Sequence, residues 1–149
     1  MLSPEQVATI LDGEGTIRSG INYTVPQPNV RLGMTDPFYP QALLEQFGGR
    51  IHVRRSKNPR HKDLYDWYLY GKDCEAVLIY ALPHLKVKRQ QARIVLLLVT
   101  LVKPDGKHST SDADMILQWR LHDMLKELNR RGKPQVDQQQ EVTDVRYLG

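Results

Sequence analysis

Residues 7–15 read VATILDGEG, and the periodicity of the chain changes within them. Ahead of this stretch, Ser3 and Pro4 have the form of a helix N-cap followed by proline at the first helical position, with Glu5 and Gln6 in the first turn. Val7, Ala8, Ile10 and Leu11 recur at helical spacing, and Gly13-Glu14-Gly15 has the composition of a helix stop. Over 16–25 the period becomes two. Ile17, Ile21, Tyr23 and Val25 share one parity and Arg18, Asn22 and Thr24 the other, as in a half-buried strand.

Working outward, Pro26, Gln27, Pro28 and Asn29 are expected to form a turn, with a second strand in which Val30, Leu32 and Met34 alternate with Arg31, Gly33 and Thr35. Asp36-Pro37 opens a helix through Leu43, Leu44 and Phe47 that Gly48-Gly49 ends. The pattern then repeats. Ile51 and Val53 alternate with Arg50, His52 and Arg54, a cation-rich loop covers 56–63, and Tyr65, Trp67 and Leu69 alternate with Asp66, Tyr68 and Tyr70. Gly71 breaks that strand, and Asp73 caps a helix with Ala76, Val77, Ile79, Tyr80 and Leu82 as its apolar set, ending before Pro83. Helices over about 88–103 and 112–131 follow, joined by a turn at 104–107; the last carries Met115, Ile116, Trp119, Leu121, Leu125 and Leu128.

This order predicts an α+β fold: an antiparallel sheet with a helical layer on one face, in a single domain over 3–131. The polar segment 132–149 reads as a disordered or loosely docked tail. On the other sheet face the alternation places Arg18, Asn22, Arg31, Arg50, His52, Arg54, Asp66, Tyr68 and Tyr70. Such a face is not core. It suits the base edges of a major groove, which a β-ribbon can enter.

Composition narrows the function classes. The longest apolar run, 94–102, is far short of a bilayer span, and Glu5 and Asp12 interrupt any signal-peptide core, so no membrane partner and an intracellular, cytoplasmic location are expected. Cys74 is alone, which excludes a disulfide framework or a cysteine-based zinc site, and the histidines lack zinc-binding spacing. The net charge of +4 is unevenly spread. Arg50, Arg54, Arg55, Lys57, Arg60 and Lys62 follow one another without an acid, and Lys86, Lys88, Arg89 and Arg93 form a second cluster. Charge gathered this way is a footprint for a polyanion.

The stretch VATILDGEG resembles the LAGLIDADG signature of homing endonucleases, with Ala8, Asp12 and Gly15 identical. The run PHLKVKRQQA over 83–92 is similar to the family's later block, a proline and a basic pair opening a Gln-containing helix, and GGRI, YLYG and LNRRG resemble members of phage and bacterial type. The resemblance covers about residues 3–131 and implies the family's αββαββα fold, with the sheet forming a DNA-binding saddle.

It also implies an activity: Mg²⁺-dependent cleavage of long near-palindromic double-stranded DNA, serving intron, intein or free-standing gene mobility. Mn²⁺ is a possible substitute metal, and no small-molecule substrate is expected. One motif copy implies a homodimer whose motif helices meet through Val7, Ala8, Leu11 and Asp12. Thr9 stands where the family has a small glycine. By the same resemblance Glu14 is the metal-binding acid, with Gly13 beside it, Lys88 lies near the scissile phosphate, and Asp66 belongs to the active-site surroundings. The alternative it leaves open is a non-cleaving nucleic-acid-binding protein of the same fold, an RNA maturase or transcription regulator. Read without the resemblance, Gly13-Glu14-Gly15 is a helix C-cap turn; a calcium loop is disfavoured because Tyr23 stands where its bidentate Glu belongs.

Overall fold

A computed structural model describes residues 1–22, 25–102 and 111–130. Its elements run α1 (Pro4–Glu14), β1 (Gly15–Asn22), β2 (Val25–Met34), α2 (Phe38–Phe47), β3 (Arg50–Arg54), β4 (Leu64–Tyr70), α3 (Cys74–Ala81), α4 (Arg89–Leu101) and α5 (Asp112–Leu128). The turn expected at 104–107 and the tail expected over 132–149 lie outside the described residues, as do Tyr23 and Thr24.

α1 starts on a capping box: Gln6 N donates to Ser3 Oγ at 3.2 Å, and Ser3 N donates to Gln6 Oε1 at 2.9 Å. Its end departs from expectation. The helix continues through Gly13 and Glu14, and β1 begins at Gly15 with no turn between them. A Cβ at Gly15 would lie 2.8 Å from Leu11 Cα, closer than atoms can pack. Only glycine lets the strand leave so tightly beneath the last helical turn.

The strands form one antiparallel sheet in the order β1-β2-β4-β3. The turn expected at 26–29 is strand instead: Pro26 pairs with Ile21 and Pro28 with Ser19, while β4 pairs with β2 only from Asn29 onward. The prolines therefore occupy a stretch of β2 bordered by β1 alone, where a missing N–H costs no bond to β4.

One sheet face packs against the helices, with Ile17, Val30, Leu32, Trp67 and Leu69 almost fully buried. Trp67 Nε1 donates to Gly48 O at 2.9 Å. Gly49 (φ 94°) continues that turn, and a Cβ there would lie 2.5 Å from Tyr68 O. Two helices turn differently from the expected stripes. A 3₁₀ turn at Gly71–Asp73 delays α3, which buries Cys74, Val77, Leu78 and Ala81 and leaves Ile79 exposed. α5 buries Gln118, Leu121, His122 and Leu125, spaced one and two turns apart, and leaves Ile116 outside. Among the described residues no helix is long and apolar enough to cross a membrane.

Candidate functional site

The register lays the outward side chains in rows across the sheet. One row is Thr16–Arg31–Tyr68–Arg50, the next Arg18–Asn29–Tyr70, and a third Gly33–Asp66–His52. Residues paired across strands share a face, so Arg18, Arg31, Arg50, His52, Arg54, Asp66, Tyr68 and Tyr70 are gathered on one side. Asn22 is the last residue of β1. The rings of Tyr68 and Tyr70 lie 5.2 Å apart.

Asp66, at the centre of this face, is buried, and its Oδ2 accepts from Arg54 Nη2 at 2.7 Å and also from Arg31 Nη2. The carboxyl thus ties β2 and β3 together through arginines. Burial by itself would raise its pKa, but the hydrogen bonds and charges of Arg54 and Arg31 outweigh that and hold it below the usual carboxylate range. A Cβ at Gly33 would sit 3.2 Å from Asp66 Oδ1, so the absent side chain leaves room for the carboxylate.

Sequence reasoning missed Asn29. It is fully buried on the polar face, donates from Nδ2 to Leu69 O at 3.1 Å, and accepts from Arg18 Nε at 3.1 Å. The signal was its shared parity with Arg31, obscured by the neighbouring prolines.

At the other end of the site, α1 delivers Gly13 and Glu14 to the surface, both exposed, with open space around Gly13 Cα. Glu14 stands two residues before Thr16, which begins a row of the polar face. The corner is fixed by Asp12 and Lys88. Asp12 accepts from the backbone N–H of Lys86 at 2.8 Å, Val87 at 3.2 Å and Lys88 at 3.0 Å. Lys88 Nζ donates to Leu11 O at 2.9 Å, Asp12 O at 3.0 Å and Gly15 O. Burial lowers the Lys88 pKa, against the opposing pull of Asp12 and Glu14. Its ammonium is bonded to carbonyls at the end of α1, on either side of Gly13 and Glu14.

The expected helix-to-helix contact needs correction. Val7, Ala8 and Leu11 are fully buried inside this chain, packed in its own core, and Asp12 is engaged with the start of α4. The side of α1 left exposed carries Gln6, Thr9 and Gly13.

Metal chemistry can be judged on the donors. Glu14 and the Gly13 carbonyl are hard oxygen donors at an open surface, the chemistry that Mg²⁺ selects. Among the described residues no group of three or more His, Cys, Asp or Glu side chains is assembled.

No protein-family model matches the chain, and no curated protein matches it. Solved structures do. The homing endonuclease I-CvuI, in complex with a DNA target, aligns over 88% of this chain and 84% of its own at 18% identity and a TM-score of 0.69. The archaeal intron-encoded homing endonuclease I-Vdi141I, complexed with DNA, aligns over 98% and 97% at 16% identity and the same TM-score of 0.69. I-SmaMI, bound to an uncleaved DNA target with calcium ions, aligns at 14% identity and a TM-score of 0.65 over 85% of this chain but 46% of its own. The chain has the fold of the LAGLIDADG homing endonucleases.

Proposed function

We propose that this chain is a site-specific double-strand DNA endonuclease acting as a homodimer with a divalent cation, Mg²⁺ or Mn²⁺. The carrying observation is a juxtaposition. A sheet face rich in arginine and tyrosine begins two residues after an exposed carboxylate, Glu14, that ends α1. The face offers charge to phosphates and hydrogen bonds to base edges; the carboxylate offers a hard oxygen where phosphates would pass.

Each residue has a distinct part in this reading. Glu14 and the Gly13 carbonyl hold the cation, and a second copy, packed through the Gln6–Thr9–Gly13 side of α1, brings a second carboxylate beside the first. A bound divalent ion lowers the pKa of a water and stabilises the leaving oxygen. Asp12 and Lys88 keep the end of α1 rigid so that Glu14 meets the backbone in one orientation. Lys88 is thus a positioning residue, and Asp66 holds Arg31 and Arg54 in place on the DNA face. The dimer symmetry requires a near-palindromic target.

A second reading has its own observation. Lys88 and Asp66 are both committed to internal partners, which suits a protein that binds nucleic acid without cutting it. The two separate in one experiment: incubate the protein with a randomised duplex library and Mg²⁺, then sequence both bound and cut molecules. Cut ends at a near-palindromic site support the endonuclease. Enrichment of bound molecules alone supports the binder, and enrichment of neither overturns both readings.

A further inference from the structure

The middle row of the polar face, Arg18–Asn29–Tyr70, contains an amide that is 0% exposed although the face itself looks outward. Burying an amide is costly unless both of its ends are bonded, and both are. The Leu69 carbonyl can only accept, so it fixes which end of the Asn29 amide faces β4: Nδ2 donates to it at 3.1 Å. The amide oxygen is thereby turned to β1, where it accepts from Arg18 Nε at 3.1 Å.

This arrangement has a consequence for an exposed arginine. A guanidinium can grip two acceptors side-on, through Nε and one Nη, or end-on, through its two Nη groups. Asn29 occupies Nε, so the end-on fork is the one presented. Arg31 and Arg54 differ, because each gives an Nη hydrogen to Asp66 and so has its end-on fork partly used. A free end-on fork matches O6 and N7 of guanine, the commonest specific contact in the major groove.

We propose that Asn29 is a positioning residue that presets Arg18 to read one guanine in each half-site, making Arg18 a specificity-determining arginine of this face. The inference rests on the DNA-binding reading. Arg31 and Arg54 then contribute mainly charge.

The test is selection of bound duplexes from a randomised library by the full chain and by its Arg18→Lys, Asn29→Ala and Asn29→Ser variants, with melting temperatures measured alongside. Wild type is expected to enrich a guanine at one position per half-site. Arg18→Lys, which keeps the charge and loses the fork, should reduce that preference about tenfold or more and leave other positions unchanged. The Asn29 variants should weaken preference at the same position, and should add nothing in the Arg18→Lys background. Asn29→Ser keeps a hydroxyl near the Leu69 carbonyl, so it serves if the alanine variant fails to fold. Retention of the guanine preference by Arg18→Lys, or by a folded Asn29 variant, would overturn the inference and leave DNA binding intact. Absence of any enriched duplex with the wild-type chain overturns DNA binding and this inference with it.

Discussion

Asp12 and Lys88 cap each other's helix across 76 residues of sequence. The Asp12 carboxylate takes the N–H groups of Lys86, Val87 and Lys88 at the entrance to α4, and the Lys88 ammonium takes the carbonyls of Leu11, Asp12 and Gly15 at the exit of α1. Helix ends leave such groups without internal partners. Here each end is satisfied by a side chain from the other, so the orientation of the α1 corner is tied to α4.

The two residues should therefore be energetically coupled. Asp12→Ala and Lys88→Met are each expected to lower stability by about 1–3 kcal/mol. The double variant should fall short of the sum by more than about 0.5 kcal/mol in urea unfolding. Additive losses would show that the caps act separately.

Gly15 should tolerate no side chain. Alanine places a Cβ 2.8 Å from Leu11 Cα, and overpacking of this kind costs roughly 1–3 kcal/mol. The Gly15→Ala melting temperature should fall by at least about 2 °C; an unchanged value would mean that the helix-to-strand junction can open to admit a Cβ.

Asp66 gives the fold an acid-sensitive contact. Its folded pKa is depressed below 3.8, so the ionised form favours folding. That contribution is complete well above pH 3.8 and is lost as pH falls below it toward the folded value. Asp66→Asn should flatten the acid limb of the stability curve in this window. The same change removes a negative charge from the polar face, so binding to non-specific duplex should tighten and its salt slope steepen. Weaker non-specific binding in a folded variant would count against a DNA-facing role.

Thr9 is exposed on α1. Thr9→Arg should leave the melting of the single chain nearly unchanged yet convert the proposed dimer into a species of 17.2 kDa. Sedimentation equilibrium decides this: a dimer that survives the arginine must use another surface.

The sequence patterns that transfer best to the structure are local. The periods of 3.6 and 2 order the helices and strands, and the register confirms the polar parity from Arg18 through Tyr70. What stays hidden depends on distant neighbours. Pro26 and Pro28 read as a turn because their tolerance depends on where β4 stops pairing. Val7, Ala8 and Leu11 form an apolar face, but periodicity cannot say whether the chain's own core or a second copy covers it; the core does. Lys88 stands out as a cation in a basic cluster, and only the approach of α1 shows that it caps carbonyls. Asn29 carries no local mark of burial, since that follows from Arg18 and Leu69 on flanking strands.

In the proposed endonuclease, cleavage depends on Glu14. With a duplex recovered by selection, single-turnover cutting in Mg²⁺ should be compared for the wild-type chain and Glu14→Gln, with binding of the same duplex measured in Ca²⁺. The Glu14 side chain is exposed at the end of α1, so the variant should fold and bind normally. Cutting should be abolished with affinity unchanged. Cutting at the wild-type rate by Glu14→Gln would contradict this dependence.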